Sequence, residues 1–199
     1  MALYLIGMGI SLDFTLEGIR IAKQCKEVYL EGYTGALSAD ISKIIQKTLG
    51  RDIIPLERED VESNVLLEKA GRKDIALLSA GDPLTATTHI SLLLEAKKRG
   101  IKTKVIHNSS VYTAAAGKAG LQIYRFGKTA TLVNQRTNYK PTSSLDIIRS
   151  NLGANMHTLV LLDTEPQPME AKTALEMLSE FENAVVLSRL GYKDEKITF

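Results

Sequence analysis

Short apolar runs, β-branched or leucine-rich, alternate with amphipathic stretches almost from one end of this 199-residue chain to the other. Strands are predicted at Leu3–Ile6, Glu27–Leu30, Asp52–Pro55, Ile75–Ser79 and Lys102–Ile106, with helices at Leu16–Cys25, Ala39–Leu49, Val61–Ala70 and Ile90–Arg99. Parallel neighbours need a crossover connection, so this alternation implies βαβ units and a mostly parallel, doubly wound sheet. After His107 the pattern is more mixed. A small-residue helix is expected at Val111–Ala119, then strands near Ala130–Val133, Thr158–Asp163 and Ala184–Ser188, and helices near Ser144–Asn151 and Ala171–Phe181. A boundary near 110–120 gives an N-terminal α/β domain over 1–113 and a C-terminal one over 114–199.

The run Ile75–Leu78 ends in Gly81-Asp82-Pro83, followed by the threonine-rich start of a helix. In open α/β sheets, ligands bind at the carboxyl ends of the strands. This end carries a fixed charge, a locked φ and a glycine that admits a ligand close to the backbone. Gly7-Met8-Gly9 ends the first strand in a similar turn. It is an incomplete dinucleotide fingerprint, because Leu12 stands where the third glycine belongs and Glu31 is only the nearest candidate for the ribose-binding acid. A nicotinamide dehydrogenase is therefore a distant reading. Phe126-Gly127-Lys128-Thr129 resembles the end of a phosphate loop, but Gln122 replaces its first glycine and a strand, not a helix, is predicted to follow.

Composition narrows the classes further. Twenty-five Lys and Arg against 23 Asp and Glu leave a net charge of +2, without the basic block of a nucleic-acid binder. No apolar run reaches the roughly 18 residues of a membrane span, and the N-terminus lacks signal-peptide character, so a soluble cytoplasmic protein is expected. Cys25 is the single cysteine and reads as a small buried residue. The histidines His89, His107 and His157 are scattered without metal-ligand spacing, and each reads first as structural or surface. Glu57 and Glu59 lie in a charged turn before a helix that Asp60 is expected to cap. Binding loops without covalent or metal machinery fit a reaction whose hard chemistry resides in a cofactor.

Six segments in order carry a resemblance: Leu5-Ile-Gly-Met-Gly9, Glu31-Gly-Tyr-Thr34, Arg58-Glu-Asp-Val61, Gly81-Asp-Pro-Leu-Thr-Ala-Thr-Thr-His89, Val105-Ile-His-Asn-Ser-Ser-Val-Tyr112 and Gly120-Leu-Gln-Ile-Tyr-Arg-Phe-Gly-Lys128. The chain resembles the archaeal diphthine synthase family, within the tetrapyrrole-methylase class of S-adenosylmethionine-dependent methyltransferases, from Leu3 to Gly191. The resemblance implies two α/β domains of the tetrapyrrole methylase type with the cofactor in the interdomain cleft, and a homodimer. It places cofactor contacts at Ile10, Asp82, Thr85, Ser110, Val111, Leu162 and Leu190, with S-adenosylhomocysteine as the product and no metal. The implied reaction is trimethylation of the amino group on a modified histidine of translation elongation factor 2, in diphthamide biosynthesis. No dedicated base is assigned. The family usually continues with a Pro-Pro-His segment and a closing strand, so those last strands and that contact are expected to be missing from a chain ending at Phe199. The alternatives are a precorrin-type tetrapyrrole methyltransferase and a catalytically silent cofactor-binding homologue.

Overall fold

The computed structural model describes residues 1–33 and 39–199, so Thr34 of the Glu31–Thr34 segment lies outside the described residues. These divide into two compact units, Met1–Ser110 and Val111–Phe199. The first unit runs β1 (Ala2–Gly7), α1 (Leu16–Gln24), β2 (Glu27–Glu31), α2 (Ala39–Leu49), β3 (Ile54–Leu56), α3 (Arg58–Glu62), α4 (Val65–Ala70), β4 (Ile75–Ser79), α5 (Ile90–Lys98) and β5 (Lys102–Ile106). Its five strands form one sheet in the order β3-β2-β4-β1-β5, and every pairing is parallel.

Helices cover both faces, and the two-residue period of the strands decides which side chain meets which helix. Leu3 and Leu5 of β1, Tyr29 of β2 and Ile75 and Leu77 of β4 pack with Leu66, Leu67 and Ala70 of α4 and Leu92 and Ala96 of α5. Ile6, Val28, Leu30, Ala76 and Leu78 point the other way, onto Ile21 and Ala22 of α1 and Ile45 and Leu49 of α2. Every residue of β4 is buried, as a central strand covered on both faces requires. Each leucine so buried contributes about 1.5–3 kcal/mol relative to an exposed one. The connections diverge at the centre: the chain leaves β1 for the α1 face and leaves β4 for the α5 face. Between these neighbours lies the topological switch point, where a parallel sheet opens a crevice at its carboxyl edge.

Helix ends are fixed by specific side chains. Thr15 caps α1 by accepting the Gly18 amide at 3.0 Å. At its other end, Arg51 donates to the carbonyls of Ala22 at 2.9 Å and Lys26 at 3.0 Å, satisfying orphan acceptors of the last turn. The single helix expected over Val61–Ala70 is two helices. Ser63 is extended at φ −82° and ψ 177°, donates its hydroxyl to the Asp60 carbonyl at 2.7 Å and accepts the Val65 amide at 3.3 Å. Such local side-chain bonds compete with the helical ladder and break it here. Glu57, not Asp60, is the N-cap residue; Asp60 sits one turn in and accepts the Glu57 amide at 3.3 Å. Cys25 is buried, and its thiol is pushed up to about 11, first by burial and then by Asp74, against Arg51.

Glu27, at the amino end of β2, is hydrogen-bonded by Lys73 and by the Tyr29 hydroxyl, and Lys69 lies 3.6 Å away. The Lys73 and Tyr29 bonds, against some burial, pull its carboxyl from 4.5 down to about 2. A depressed folded value gives stabilisation that is complete above the unfolded value and is lost as the pH falls through the folded one. Glu27→Gln is therefore expected to melt below the wild type at pH 7, with the two melting temperatures converging between pH 4.5 and 2. Thermal unfolding monitored by circular dichroism across that range checks this.

The second unit contains α6 (Val111–Lys118), a 3-10 turn at Ile123–Arg125, β6 (Ala130–Leu132), α7 (Ser143–Gly153), β7 (Val160–Leu162), α8 (Ala171–Met177), β8 (Val186–Ser188) and β9 (Lys196–Thr198). β6 and β7 pair in parallel, and β8 and β9 antiparallel. Leu132, Met169 and Ala174 form its core, with Leu145, Val160 and Leu162 against them. β9, which pairs with β8, is not among the strands expected from the sequence. The phosphate-loop look-alike leads into β6, as its sequence context required, and is clamped from the side. Asn151 accepts the Lys128 amide at 3.1 Å and donates to the Lys128 carbonyl and the Thr158 hydroxyl, both at 2.8 Å.

Candidate functional site

At the switch point the turns after β1, β4 and β5 are stitched together. The Met8 amide donates to the Ser79 carbonyl at 2.9 Å, and Gly9 and Gly81 exchange amide-to-carbonyl bonds at 3.1 and 2.9 Å. Gly7 is required by this proximity. A Cβ there would lie 2.5 Å from the Gly81 carbonyl oxygen and 2.9 Å from the Pro83 ring. From β5, Asn108 reaches across β1 and donates to the carbonyls of Gly7 at 3.1 Å and Asp13 at 3.0 Å. Ser109 receives the Ile10 amide at 3.2 Å.

Asp82 holds the same junction from the β4 side. Its Oδ1 accepts the Leu84 amide at 2.9 Å and the Thr85 hydroxyl at 3.4 Å, while Oδ2 accepts His107 Nδ1 at 2.7 Å and the Asn108 amide at 3.2 Å. Burial works to raise its pKa, but the Leu84 amide, the His107 ring and the Asn108 amide together hold it below the usual carboxylate value. The result is a buried, ionised carboxylate with all four of its acceptor positions filled by the protein. Its negative charge is fixed at the carboxyl edge, and its hydrogen-bonding capacity is already used.

The following loop folds back on itself. Thr87 Oγ1 and His89 Nδ1 both donate to the Pro83 carbonyl, at 2.8 and 2.9 Å. His89 is buried, and burial pushes its pKa down against that carbonyl, so the ring is neutral at neutral pH. It is a structural histidine, as its first reading had it. His157 belongs to the second unit, where its amide and carbonyl bridge to Arg125 and Gly127. Glu31 is fully buried at the end of β2.

The structure thus brings Ile10, Asp82, Thr85 and Ser110 to one edge of the first unit. The amides of Ile10 and Thr85 are engaged within the protein, by Ser109 and by the Asp82 carbonyl at 3.2 Å, and Ser110 is buried. Val111 opens α6 and is exposed. Leu162 and Leu190 lie in the second unit, one at the end of β7 and the other, buried, two residues past β8. Non-glycine residues with positive φ mark these loops: Leu12 at 64°, Ala86 at 56° and Arg189 at 52°. Backbone strain of this kind concentrates at ligand sites. Among the described residues, no group of three His, Cys, Asp or Glu side chains is placed to hold a metal, and no helix is long and apolar enough to cross a membrane.

The family of Tetrapyrrole (Corrin/Porphyrin) Methylases matches residues 2–199. The chain belongs to that family. Among its relatives, the diphthine synthase of Methanothermobacter thermautotrophicus is 45% identical over 88% of this chain and 68% of its own. That of Methanocaldococcus jannaschii is 39% identical, covering 99% and 84%. Diphthine methyl ester synthase 2 of Candida albicans is also 39% identical, covering 95% and 74%. A crystal structure of diphthine synthase superposes with a TM-score of 0.90 at 34% identity, covering 99% of this chain and 80% of that one. A putative diphthine synthase from Entamoeba histolytica gives 0.85 at 36% identity, covering 98% and 82%.

In this tetrapyrrole methylase, Asn108, Ser109 and His107 bond to the turns after β1 and β4, whereas the sequence gives His107 a structural or surface role and Asn108 and Ser109 none. The available signal was their position: they follow β5 directly, at the edge where loops carry function.

Proposed function

We propose that the chain is a diphthine synthase, an S-adenosylmethionine-dependent methyltransferase that trimethylates the amino group of the modified histidine of translation elongation factor 2. The observation that carries this reading is the 45% identity to a curated diphthine synthase over 88% of the chain. The stitched carboxyl edge around Asp82, the expected place for a ligand in a parallel sheet, agrees with it. In this reading Ile10, Asp82, Thr85 and Ser110 receive the cofactor at the carboxyl edge of the first unit. The protein works as a cytoplasmic homodimer. A precorrin-type substrate is disfavoured because these relatives carry the diphthine name.

The residues fit a sulfonium-bearing nucleoside. Asp82 keeps a negative charge fixed at the carboxyl edge, where the turns after β1, β4 and β5 meet. When bound, the cofactor supplies an electrophilic methyl with a good leaving group. The protein's part is to hold a neutral amine in line with that methyl and to keep competing water out.

Incubation with labelled S-adenosylmethionine and elongation factor 2 bearing the unmethylated intermediate is expected to place three methyl groups on that side chain, read by mass spectrometry. Because the Candida relative is named for a methyl ester, alkaline treatment of the product distinguishes an ester methyl, which it removes, from the amine methyls, which it leaves. No transfer to this substrate, together with transfer to a precorrin, would overturn the reading.

A further inference from the structure

The structure assigns to His107 the proton transfer that successive methylations of an amine require, an inference that rests on the proposed function. His107 directly follows β5 at the same carboxyl edge as Ile10, Asp82 and Ser110, yet its ring is 66% exposed. Its Nδ1 lies 2.7 Å from Asp82 Oδ2. Asp82 is held ionised and can only accept, so Nδ1 must be the donor. That fixes the tautomer: in the neutral ring Nε2 carries the lone pair, and among the described residues nothing in the protein occupies it. A buried carboxylate that orients an imidazole and stabilises its protonated form is the arrangement that makes histidine a general base.

The other candidates at this edge are less suited. His89 is enclosed and its Nδ1 is committed to Pro83. Asp82 has no acceptor position left. Asp13, in the β1–α1 connection, is already engaged, its Oδ1 accepting the Ser11 amide at 3.3 Å.

The chemistry balances around one relay. A protonated amine has no lone pair to offer, and the first and second methylations each leave a protonated nitrogen. His107 Nε2 takes a proton from the bound ammonium, and the N–H bonding pair becomes the amine lone pair. That pair forms the new N–C bond while the C–S pair returns to sulfur, giving the neutral thioether. The imidazolium, being exposed, discharges its proton to solvent before the next round. Three rounds convert an ammonium into a trimethylammonium and release three protons, of which those of the second and third rounds leave through His107. The first round can begin from amine that lost its proton before binding. The second and third depend on proton removal on the enzyme, so the relay matters most for them.

His107→Asn is the discriminating variant, because the asparagine Nδ2 can take the place of the imidazole Nδ1 and keep the bond to Asp82 while removing the base. Calorimetry is expected to show wild-type affinity for S-adenosylhomocysteine. Single-turnover assays on elongation factor 2 bearing the intermediate should show the second and third transfers slowed at least tenfold relative to the first. Mono- and dimethylated side chains then accumulate in the mass spectrum. In His107→Ala, added imidazole should restore the trimethylated product. A His107→Asn enzyme with the wild-type distribution of products overturns the assignment, as does an alanine variant that imidazole leaves unchanged. Absence of transfer by the wild type itself is a different failure, that of the proposed function, and is read separately in the same assay.

Discussion

Replacing Asp82 by alanine is expected to weaken binding of S-adenosylhomocysteine by tenfold or more, the decade of affinity that corresponds to about 1.4 kcal/mol. The effect requires no hydrogen bond from Asp82 to the ligand, because its oxygens already serve Leu84, Thr85, His107 and Asn108. Alanine would leave the Leu84 and Asn108 amides without their acceptor and free the turn after β4 from the end of β5. Unsatisfied donors in a partly buried site cost about 1–3 kcal/mol each, and the loops would move to find water. It would also delete the negative charge that a cationic cofactor meets. Calorimetry with the cofactor and with its uncharged product separates the two effects. A loss equal for both ligands points to loop positioning, and an extra loss for the sulfonium measures the charge. Unchanged affinity for both would remove Asp82 from the site. Asp82→Asn should fall between wild type and alanine, since its amide keeps one acceptor oxygen and places a second donor where two donors already converge.

The elements that carry Asp82 were legible in the sequence because their signals are local. Ile75–Ser79 is an unbroken apolar run closed by Gly81, and Ile90–Lys98 has helical spacing closed by Gly100. The roles of Asn108 and Ser109 were not legible, because they depend on β1 lying between β4 and β5. That is a fact of strand order, with contacts about a hundred residues apart in sequence. The same order explains why Asp82 read as a ligand contact. A buried carboxylate in a Gly-Asp-Pro turn looks alike from the sequence whether its oxygens face a ligand or the next strand's amides. Thr87 and His89 show the converse. Both donate to the Pro83 carbonyl and fold the loop onto it, a local contact that the sequence does not display. In the second unit the strands are three residues long: β6, β7 and β8 lie within the longer runs that predict them, whereas Lys196-Ile197-Thr198 of β9 has a single apolar residue and no run to read.

Gly7→Ala is expected both to destabilise the protein and to weaken cofactor binding. The methyl would stand 2.5 Å from the Gly81 carbonyl oxygen, 2.9 Å from Pro83 Cδ and 3.1 Å from Asn108 Cβ. None of these can yield cheaply. The carbonyl is backbone and is held by the Gly9 amide, the proline ring is locked, and Asn108 is anchored through its bonds to Gly7 and Asp13. Relief requires β1 and β4 to part at their carboxyl ends, which breaks the Gly9–Gly81 bridge and widens the crevice. Overpacking of this kind costs about 1–3 kcal/mol. For a chain of this length each kcal/mol lowers the melting temperature by roughly 2–4 °C. The loss of binding should exceed the loss of stability, because the displaced atoms belong to the carboxyl-edge turns proposed to receive the cofactor, and affinity for S-adenosylhomocysteine should fall more than tenfold. Gly117→Ala is the control. It places the same methyl within α6, where nothing lies within 4 Å, and should leave the protein unchanged or more stable by about 0.5–1 kcal/mol. Melting curves and calorimetry on the two variants test both statements. Wild-type affinity in Gly7→Ala would mean that the cofactor does not enter between the ends of β1 and β4.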